Sequence, residues 1–250
     1  MSAFMRRSLV WIGIGVLFFT NTPRLFAFDA DINISGLTTN LQGAFEDFSE
    51  ELGLAISYLP VAPAEPLGIL GFDIGVEATV AEIKQNRSYW TEITPDAPSV
   101  LFLPKVHAQK GLPFGIDVGA VYTKVPSSNI DMVGVEIKKA LLTGNVLFPA
   151  IALRGSYTKL SGVPNLDMHT YGADVSISKG FLFLTPYAGY GQVWIQSEVK
   201  LPPPLNLKAN ITLPKPFVGV KISPLPVVNV VAEADFGKIP LYTFRINVGF

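Results

Sequence analysis

Stretches in which apolar and polar residues strictly alternate are the feature that most limits the fold of this chain. In the stretch from Phe72 to Val80 every even position is apolar, and the odd positions hold Asp, Gly, Glu and Thr. The stretch from Tyr242 to Phe250 repeats the pattern, with Thr, Arg, Asn and Gly between the apolar residues. Because successive side chains of a β-strand point to opposite faces, such a stretch predicts a strand with one apolar and one polar face.

The same alternation predicts ten strands in the chain after residue 68. They cover residues 69–84, 99–109, 113–124, 131–141, 147–158, 169–179, 182–198, 211–222, 226–236 and 240–250. Each reaches the roughly nine residues that a tilted strand needs to cross a bilayer, whereas strands of soluble sandwiches typically have about five or six. Ala55–Leu59 is an alternative eleventh strand, which the even strand number of single-chain bacterial barrels disfavours.

The predicted connections alternate in length along the chain. Longer links at 85–98, 125–130, 159–168 and 199–210 alternate with shorter ones at 110–112, 142–146, 180–181 and 223–225, and 237–239 breaks the pattern. Outer-membrane barrels have long loops outside and short turns in the periplasm, and closure removes the strand edges that lipid does not tolerate. The predicted fold is therefore all-β: an up-and-down antiparallel transmembrane barrel of about ten strands, formed by residues 68–250.

The polar faces of the predicted strands are expected to line this barrel. The predicted lumen-facing charges are Asp73, Glu77, Lys105, Asp117, Glu136, Lys138, Arg154, Asp174, Lys221, Glu233, Asp235 and Arg245. The two signs are mixed over most strands, which favours paired charges over the single-sign rings of a selective pore. Because barrels of about eight strands are filled by side chains and wide pores need about sixteen, a structural barrel or a narrow channel for small solutes is expected.

Aromatic residues of the predicted lipid face fall near the strand ends, where membrane barrels carry aromatic girdles. The predicted girdle consists of Phe114, Tyr122, Tyr157, Tyr171, Tyr187, Tyr242 and Phe250. The last strand has an apolar residue at every second position up to the final phenylalanine. This row resembles the C-terminal signal that the bacterial barrel-assembly machinery reads. It consists of Tyr242, Phe244, Ile246, Val248 and Phe250.

Three longer segments resemble an uncharacterised family of bacterial outer-membrane barrel proteins. They read GFDIGVE (Gly71–Glu77), PFGIDVGAVYTKVP (Pro113–Pro126) and TYGADVSISKGFLFLTPYAGYG (Thr170–Gly191). The resemblance covers roughly residues 50–250 and implies a barrel in the outer membrane of a Gram-negative bacterium. It implies no assigned reaction, and it carries no functional residues over to this chain.

The first residues are interpreted as an export signal. A pair of arginines precedes an apolar run from Leu9 to Phe19, and the small residues Ala27 and Ala30 suit a cleavage site. The run is shorter than the about 20 residues of a membrane-spanning helix. Residues 1–27 are therefore predicted to be a cleaved signal peptide, with an uncleaved anchor helix as the alternative.

Residues 28–67 do not alternate, and they predict an amphipathic helix followed by a proline-rich link. The apolar residues at helical spacing are Leu37, Leu41, Phe45, Phe48 and Leu52. Thr38 or Thr39 is the expected helix cap, and Gly53 is the expected end. The opposite face of the helix is acidic, so packing in or under the barrel mouth is favoured over binding to anionic lipid.

Three other functions compete with the structural or narrow-channel hypothesis. A segment of this kind before the first strand resembles the hatch of transporters for hydrophobic compounds, and Pro104 is a candidate kink in the wall. A loop-mediated adhesin or receptor would use residues 85–98 and 199–210. A barrel hydrolase would combine His169 with Asp167 and either Ser156 or Ser161, although no motif supports that spacing.

Composition excludes several further classes of protein. Charged residues make up 16% of the chain and the formal net charge is −1, without the basic excess of a nucleic-acid binder. There is no cysteine and there are two histidines, which excludes cysteine-based and histidine-rich metal sites. No catalytic residue, cofactor or metal is expected. The expected partners are outer-membrane lipid, the barrel-assembly machinery and an unidentified small solute or hydrophobic ligand.

Overall fold

The structure is a computed structural model that describes residues 31–38, 41–94, 97–200 and 206–250. Within these ranges ten antiparallel strands form one closed barrel. The strands are β1 (Phe72–Glu82), β2 (Val100–Leu112), β3 (Ile116–Lys124), β4 (Asp131–Thr143), β5 (Ala150–Ser161), β6 (Leu166–Ser178), β7 (Leu184–Val199), β8 (Lys208–Leu225), β9 (Val228–Phe236) and β10 (Pro240–Gly249). The helices are α1 (Leu41–Ile56) and α2 (Ser88–Ile93). The predicted ten-strand barrel is confirmed, and the alternative strand at Ala55–Leu59 is wrong.

The first and the last strand close the barrel. β1 pairs with β2 on one side and with β10 on the other, and the remaining pairs join sequence neighbours. The start of β1 and the end of β10 meet, since the ring centroids of Phe72 and Phe250 are 4.9 Å apart. We call the end of the barrel that contains Phe250 the turn end and the opposite end the loop end.

The connections at the two ends differ in length, although less regularly than predicted. The loop end carries 83–99, 125–130, 162–165, 200–207 and 237–239, and the turn end carries 113–115, 144–149, 179–183 and 226–227. The connection 162–165 is shorter than predicted because β5 and β6 continue further towards the loop end. The two long loops expected at 85–98 and 199–210 both lie at the loop end.

The inner and outer faces of the wall exchange their apolar and polar character along the barrel axis. Near the turn end, apolar residues point outward and charged residues point inward, so that Ile246 is 58% exposed and Arg245 is 1% exposed. Near the loop end, His169 lies on the outer face of β6, while Met168 and Ile195 are buried inside. The turn-end half therefore has the apolar outer surface of a transmembrane barrel. The loop-end half is instead a sheet that surrounds an apolar core.

Helix α1 lies inside the loop-end half of the barrel. It packs against β6, β7 and β8, and the predicted apolar residues Phe45, Phe48 and Leu52 are fully buried. Residues 57–64 continue through the lumen without helix or strand and are buried as well. The chain then leaves at the turn end and enters β1. In the part of the chain that the structure describes, the N-terminal segment is thus a plug.

One predicted helix boundary differs from the structure, and the other falls partly outside the described residues. Gly53 does not end α1, which continues to Ile56. A Cβ atom on Gly53 would lie 2.5 Å from Cγ2 of Ile195, so the glycine allows the helix to approach the wall. Thr38 donates its backbone N–H to the Glu92 carboxylate at 2.6 Å. The other expected cap, Thr39, and the predicted signal peptide lie outside the described residues.

Replacing Gly53 by alanine is expected to loosen the plug while the barrel stays folded. In a helix this change normally adds about 1 kcal/mol of stability, so a loss here must come from the clash with Ile195. We expect a protease added to the refolded protein to cut residues 41–66 faster than in the wild type, with unchanged SDS resistance of the barrel. Gly155→Ala is the control, since its Cβ meets only the side chain of Ile137, at 3.8 Å. Equal cleavage rates in the two variants would contradict this packing.

Candidate functional site: the plugged lumen

Buried ion pairs cross-link the inner face of the wall in its turn-end half. The nitrogen–oxygen distances are 2.8 Å for Arg245–Glu77, 3.5 Å for Lys105–Glu77, 3.0 Å for Lys138–Asp117 and 3.0 Å for Arg154–Glu136. Each pair joins residues of neighbouring strands. Burying a charge costs free energy of desolvation, which a close partner of opposite charge offsets. The pairing therefore allows a narrow lumen to hold charged residues of both signs.

The structure places the twelve predicted lumen charges on the inner face of the wall. Ten of them are buried, while Asp174 and Lys221 are partly exposed. Lys215 was not among the predicted lumen charges, although it is 4% exposed and lies on the same face of β8 as Lys221. Its odd-numbered position, shared with Lys221, was a usable signal for the inner face. Pro214 and Pro216 on either side obscured the alternation of apolar and polar residues.

Two lysines of the wall donate hydrogen bonds to carbonyl groups of the plug. Lys215 Nζ lies 2.5 Å from the carbonyl oxygen of Tyr58. Lys138 Nζ lies 3.1 Å from the carbonyl oxygen of Pro63 and 2.9 Å from that of Glu65. Both lysines are buried, so each of these charge-assisted bonds forms away from bulk water, where it is strong.

Three other wall residues accept hydrogen bonds from backbone N–H groups of the plug. The bonds are Val61 N to Glu233 Oε2 at 2.8 Å, Ala64 N to Ser178 Oγ at 3.1 Å and Leu67 N to Asp117 Oδ1 at 3.1 Å. The five wall residues belong to five different strands, so they hold residues 58–67 from several sides of the lumen. We call this set the collar; it consists of Asp117, Lys138, Ser178, Lys215 and Glu233.

Tyr187 supports the collar, and its assignment to the aromatic girdle is corrected. Its ring lies inside the barrel, 4% exposed, and its hydroxyl donates to Glu233 Oε2 at 2.8 Å. A Cβ on Gly219 of the neighbouring strand would collide with this ring, so the glycine makes room for it. The prediction was wrong because Tyr187 and Tyr190 lie on opposite faces of β7, and Tyr190 takes the outward one.

The other predicted girdle residues lie at the outer surface. The exposed fractions are 45% for Tyr122, 43% for Tyr171, 40% for Tyr242, 60% for Phe250 and 86% for Phe114. Tyr157 packs against Tyr171 with a centroid distance of 5.2 Å. Phe114 is part of a 3-10 turn, Pro113–Gly115, instead of the strand that the sequence predicted. The remaining residues of the C-terminal row, Phe244, Ile246 and Val248, are exposed on the outer face of β10.

Pro104 lies where the β1–β2 pairing continues but the β2–β3 pairing has ended. It pairs with Ala78 of β1, and the β1–β2 register continues through it without a shift. The β2–β3 ladder stops at Val106, paired with Tyr122, before it reaches the proline. Proline is tolerated at such a free strand edge. The structure thus places the predicted wall kink, Pro104, beside a short unpaired stretch between β2 and β3, and the β1–β2 pairing is continuous.

A buried carboxylate joins the plug to the longest loop. Glu51 of α1 is fully buried and accepts bonds from Tyr89 Oη at 3.0 Å, Trp90 Nε1 at 2.8 Å and the backbone N–H of Lys84 at 3.0 Å. Burial and the Glu51 charge raise the pKa of Tyr89 well above its usual range, so the phenol stays a donor. Phe48 packs edge-on against Trp90. We call Glu51, Lys84, Tyr89 and Trp90 the latch.

The residues of the hydrolase hypothesis are not assembled into a triad. His169 Nε2 lies 2.9 Å from Gln196 Oε1 on the outer face. Ser156 belongs to the inner face of β5, and within the described ranges neither it nor Ser161 hydrogen-bonds to His169. No group of three or more His, Asp and Glu side chains in the described chain is arranged to hold a metal ion. Nor does any described helix have the length and apolar character needed to cross a membrane.

The comparisons with known proteins find similar solved structures but no family. No family model matches the chain, and no curated protein matches it. The N-terminal β-barrel domain of Pseudomonas aeruginosa OprF is 12% identical, covers 70% of this chain and 99% of its own, and has a TM-score of 0.34. The KdgM porin is 7% identical, covers 71% and 99%, and has a TM-score of 0.39. Ail of Yersinia pestis, in complex with the heparin analogue sucrose octasulfate, is 10% identical, covers 72% and 95%, and has a TM-score of 0.30.

Proposed function

We propose that this chain is an integral barrel of the bacterial outer membrane and forms a narrow channel for small polar solutes that its own N-terminal segment closes. The collar is the observation that carries the proposal. Its charged side chains bind main-chain atoms of residues 58–67, and water can replace such polar contacts when the segment moves. The proposal assigns no catalytic role to any residue.

The barrel's two ends support an orientation across the membrane. Long loops lie outside and short turns lie in the periplasm in outer-membrane barrels, so the loop end is assigned to the cell surface. Ile32 is held there, with its backbone N–H 3.0 Å from Oδ1 of Asn129 in the loop 125–130. The plug then runs from the surface to the periplasmic end. The exposed apolar row on β10 supports recognition by the barrel-assembly machinery during insertion.

The interior favours a polar solute over a hydrophobic one. A cavity of about 140 Å³ lies beside the plug near the turn end, and its lining includes Asp73, Gln109, Lys138 and Lys221. A transporter of apolar compounds would instead need an apolar internal pocket. In the loop-end half, where the interior is apolar, α1 packs directly against the wall.

A permanently closed, structural barrel is the second candidate function. The burial of α1 favours it, because the latch and the apolar contacts of Phe45 and Leu52 hold the helix firmly. The two candidates differ in one observable property, which is whether the plug moves in the folded protein.

A disulfide between plug and wall tests this difference. Ser49 Oγ and Ser197 Oγ are 2.6 Å apart, and the chain has no cysteine, so Ser49→Cys with Ser197→Cys gives one defined cross-link. In a planar bilayer we expect discrete current steps from the wild type, no steps from the oxidised double variant, and restored steps after reduction. Each single cysteine variant controls for the lost hydroxyl group.

The outcomes separate the candidates. Current steps that persist in the oxidised variant would show a path that does not require plug movement, and they would contradict the proposal. Silence from the wild type and from the reduced double variant, with folding shown by SDS resistance before boiling, would leave the structural barrel as the function.

A further inference from the structure

We propose that the lumen is a binding site for oligopeptides, and that residues 58–67 occupy it as a built-in peptide. This inference rests on the proposed function, since another peptide reaches the site only when the plug moves. It names the solute class that the channel would bind.

The collar recognises the main chain of residues 58–67. Lysine ammonium groups donate to carbonyl oxygens, and carboxylate or hydroxyl oxygens accept from N–H groups. None of these bonds uses a side chain of the segment, which is made largely of proline, alanine, valine and leucine. Main-chain recognition binds peptides without requiring a particular sequence. The wall would therefore make the same bonds to other peptides whose main chain follows the same path.

The wall also carries more polar groups than the segment uses. Arg154 and Thr158 lie on the inner face of β5, and Ser176 lies on the inner face of β6. Arg154 is opposite collar residue Lys138, and Ser176 is two residues before collar residue Ser178. Each of the three is at least nine-tenths buried. Their side-chain atoms without a hydrogen-bond partner are Nη1 and Nη2 of Arg154, Oγ1 of Thr158 and Oγ of Ser176.

Such a surplus of polar groups points to a ligand richer in polar atoms than the built-in segment. Buried polar groups in folded proteins are nearly always hydrogen-bonded, and a permanent plug would satisfy them. A peptide with polar side chains supplies the missing partners while keeping the main-chain bonds to the collar. Sugar hydroxyl groups can both donate and accept, but a neutral sugar lacks the carbonyl and N–H groups at main-chain spacing that the collar binds.

A cavity beside the plug is a suitable entry site for a competing peptide. The cavity near the turn end borders Val61, Pro63 and Glu65 of the segment and contains Lys221. Lys221 makes no hydrogen bond or ion pair within the described part of the chain. A peptide that enters from the periplasmic side meets this cavity first and can then displace the segment stepwise.

Current block in planar bilayers by synthetic peptides tests the inference. The probes are a peptide with the sequence of residues 58–67, YLPVAPAEPL, a shuffled peptide of the same composition, and maltotriose. The full chain is used, as wild type and as Glu51→Gln, which weakens the latch and increases the open time. We expect both peptides to interrupt the current at concentrations within about threefold of each other, because recognition is by the main chain. We expect maltotriose to leave the current unchanged.

Substitutions in the collar test whether its residues bind the peptide. Lys138→Met should raise the half-blocking peptide concentration at least about tenfold, since it removes two charge-assisted bonds. Lys159→Met is the control, since Lys159 is exposed on the outer face of β5 and away from the lumen, and it should leave that concentration unchanged within about twofold. If Lys138→Met fails to fold, Ser178→Ala removes a single acceptor and should raise it about two- to fivefold.

Each outcome bears on one of the two proposals. The absence of current steps in the wild type and in Glu51→Gln overturns the channel, and the peptide site with it. Current steps that neither peptide interrupts, or that maltotriose interrupts equally, overturn the peptide site and leave the channel standing. Block that is the same in Lys138→Met and Lys159→Met overturns the role of the collar.

Discussion

Replacing Arg245 by methionine is expected to destabilise the barrel by about 3–5 kcal/mol, because the change leaves the buried carboxylate of Glu77 without its main partner. Nη2 of Arg245 lies 2.8 Å from Oε2 of Glu77, and Nε lies 2.9 Å from the same oxygen. Lys105 remains, but its Nζ is 3.5 Å from Glu77 and already donates to Thr79. The pair joins β1 to β10, so its loss acts on the closure of the barrel.

The urea midpoint of protein refolded into lipid vesicles, followed by tryptophan fluorescence and by SDS resistance, measures this loss. Lys221→Met is the control for stability, since Lys221 is partly exposed and unpaired within the described residues. Its stability should change by no more than about 0.5 kcal/mol. A shift for Arg245→Met as small as that of the control would show that the buried pair does not hold the barrel closed.

The strands and their faces could be predicted because a wall with an apolar outer face and a polar inner face imposes a period-two pattern on each strand separately. β1 and β10 show this most clearly, since the alternation of apolar and polar residues was enough to assign Glu77 and Arg245 to the lumen. The helical period of Phe45, Phe48 and Leu52 was likewise enough to predict α1. In each case the signal lies within a few residues of the chain, so no knowledge of distant contacts is required.

The position of the plug and the residues that hold it could not be predicted in this way. Gly53 looks like a helix end in the sequence, and only its contact with Ile195 shows that it is a packing site. The inward orientation of the Tyr187 ring depends on Gly219 in the neighbouring strand. Glu51 looks like one more acid of an exposed face until α2 supplies its donors. These features depend on contacts between segments that lie far apart in the chain.

A charge on the exposed apolar surface around Val76 is expected to have the second large effect on stability. Val76 lies on the outer face of β1 and is 60% exposed, between the similarly exposed Ile246 and Val106 of the adjacent strands. Replacing Val76 by lysine places a charge in the hydrocarbon layer, which should lower the stability of the barrel by about 2–4 kcal/mol near the bilayer midplane. The reason is that the lysine ammonium loses its hydration there and finds no partner on an apolar wall.

Thr212→Lys is the matched control for depth, because Thr212 is exposed on the outer face of β8 opposite Trp194, where the wall becomes polar. Near the interface the same charge should lower the stability by only about 0–1 kcal/mol. Urea titration in lipid vesicles should therefore order the proteins as wild type, Thr212→Lys and Val76→Lys, from the most to the least stable. If the two lysine variants were equally stable, the apolar surface around Val76 would not be in contact with lipid. The polarity reversal would then be a property of a barrel in water, and the membrane assignment would have to be abandoned.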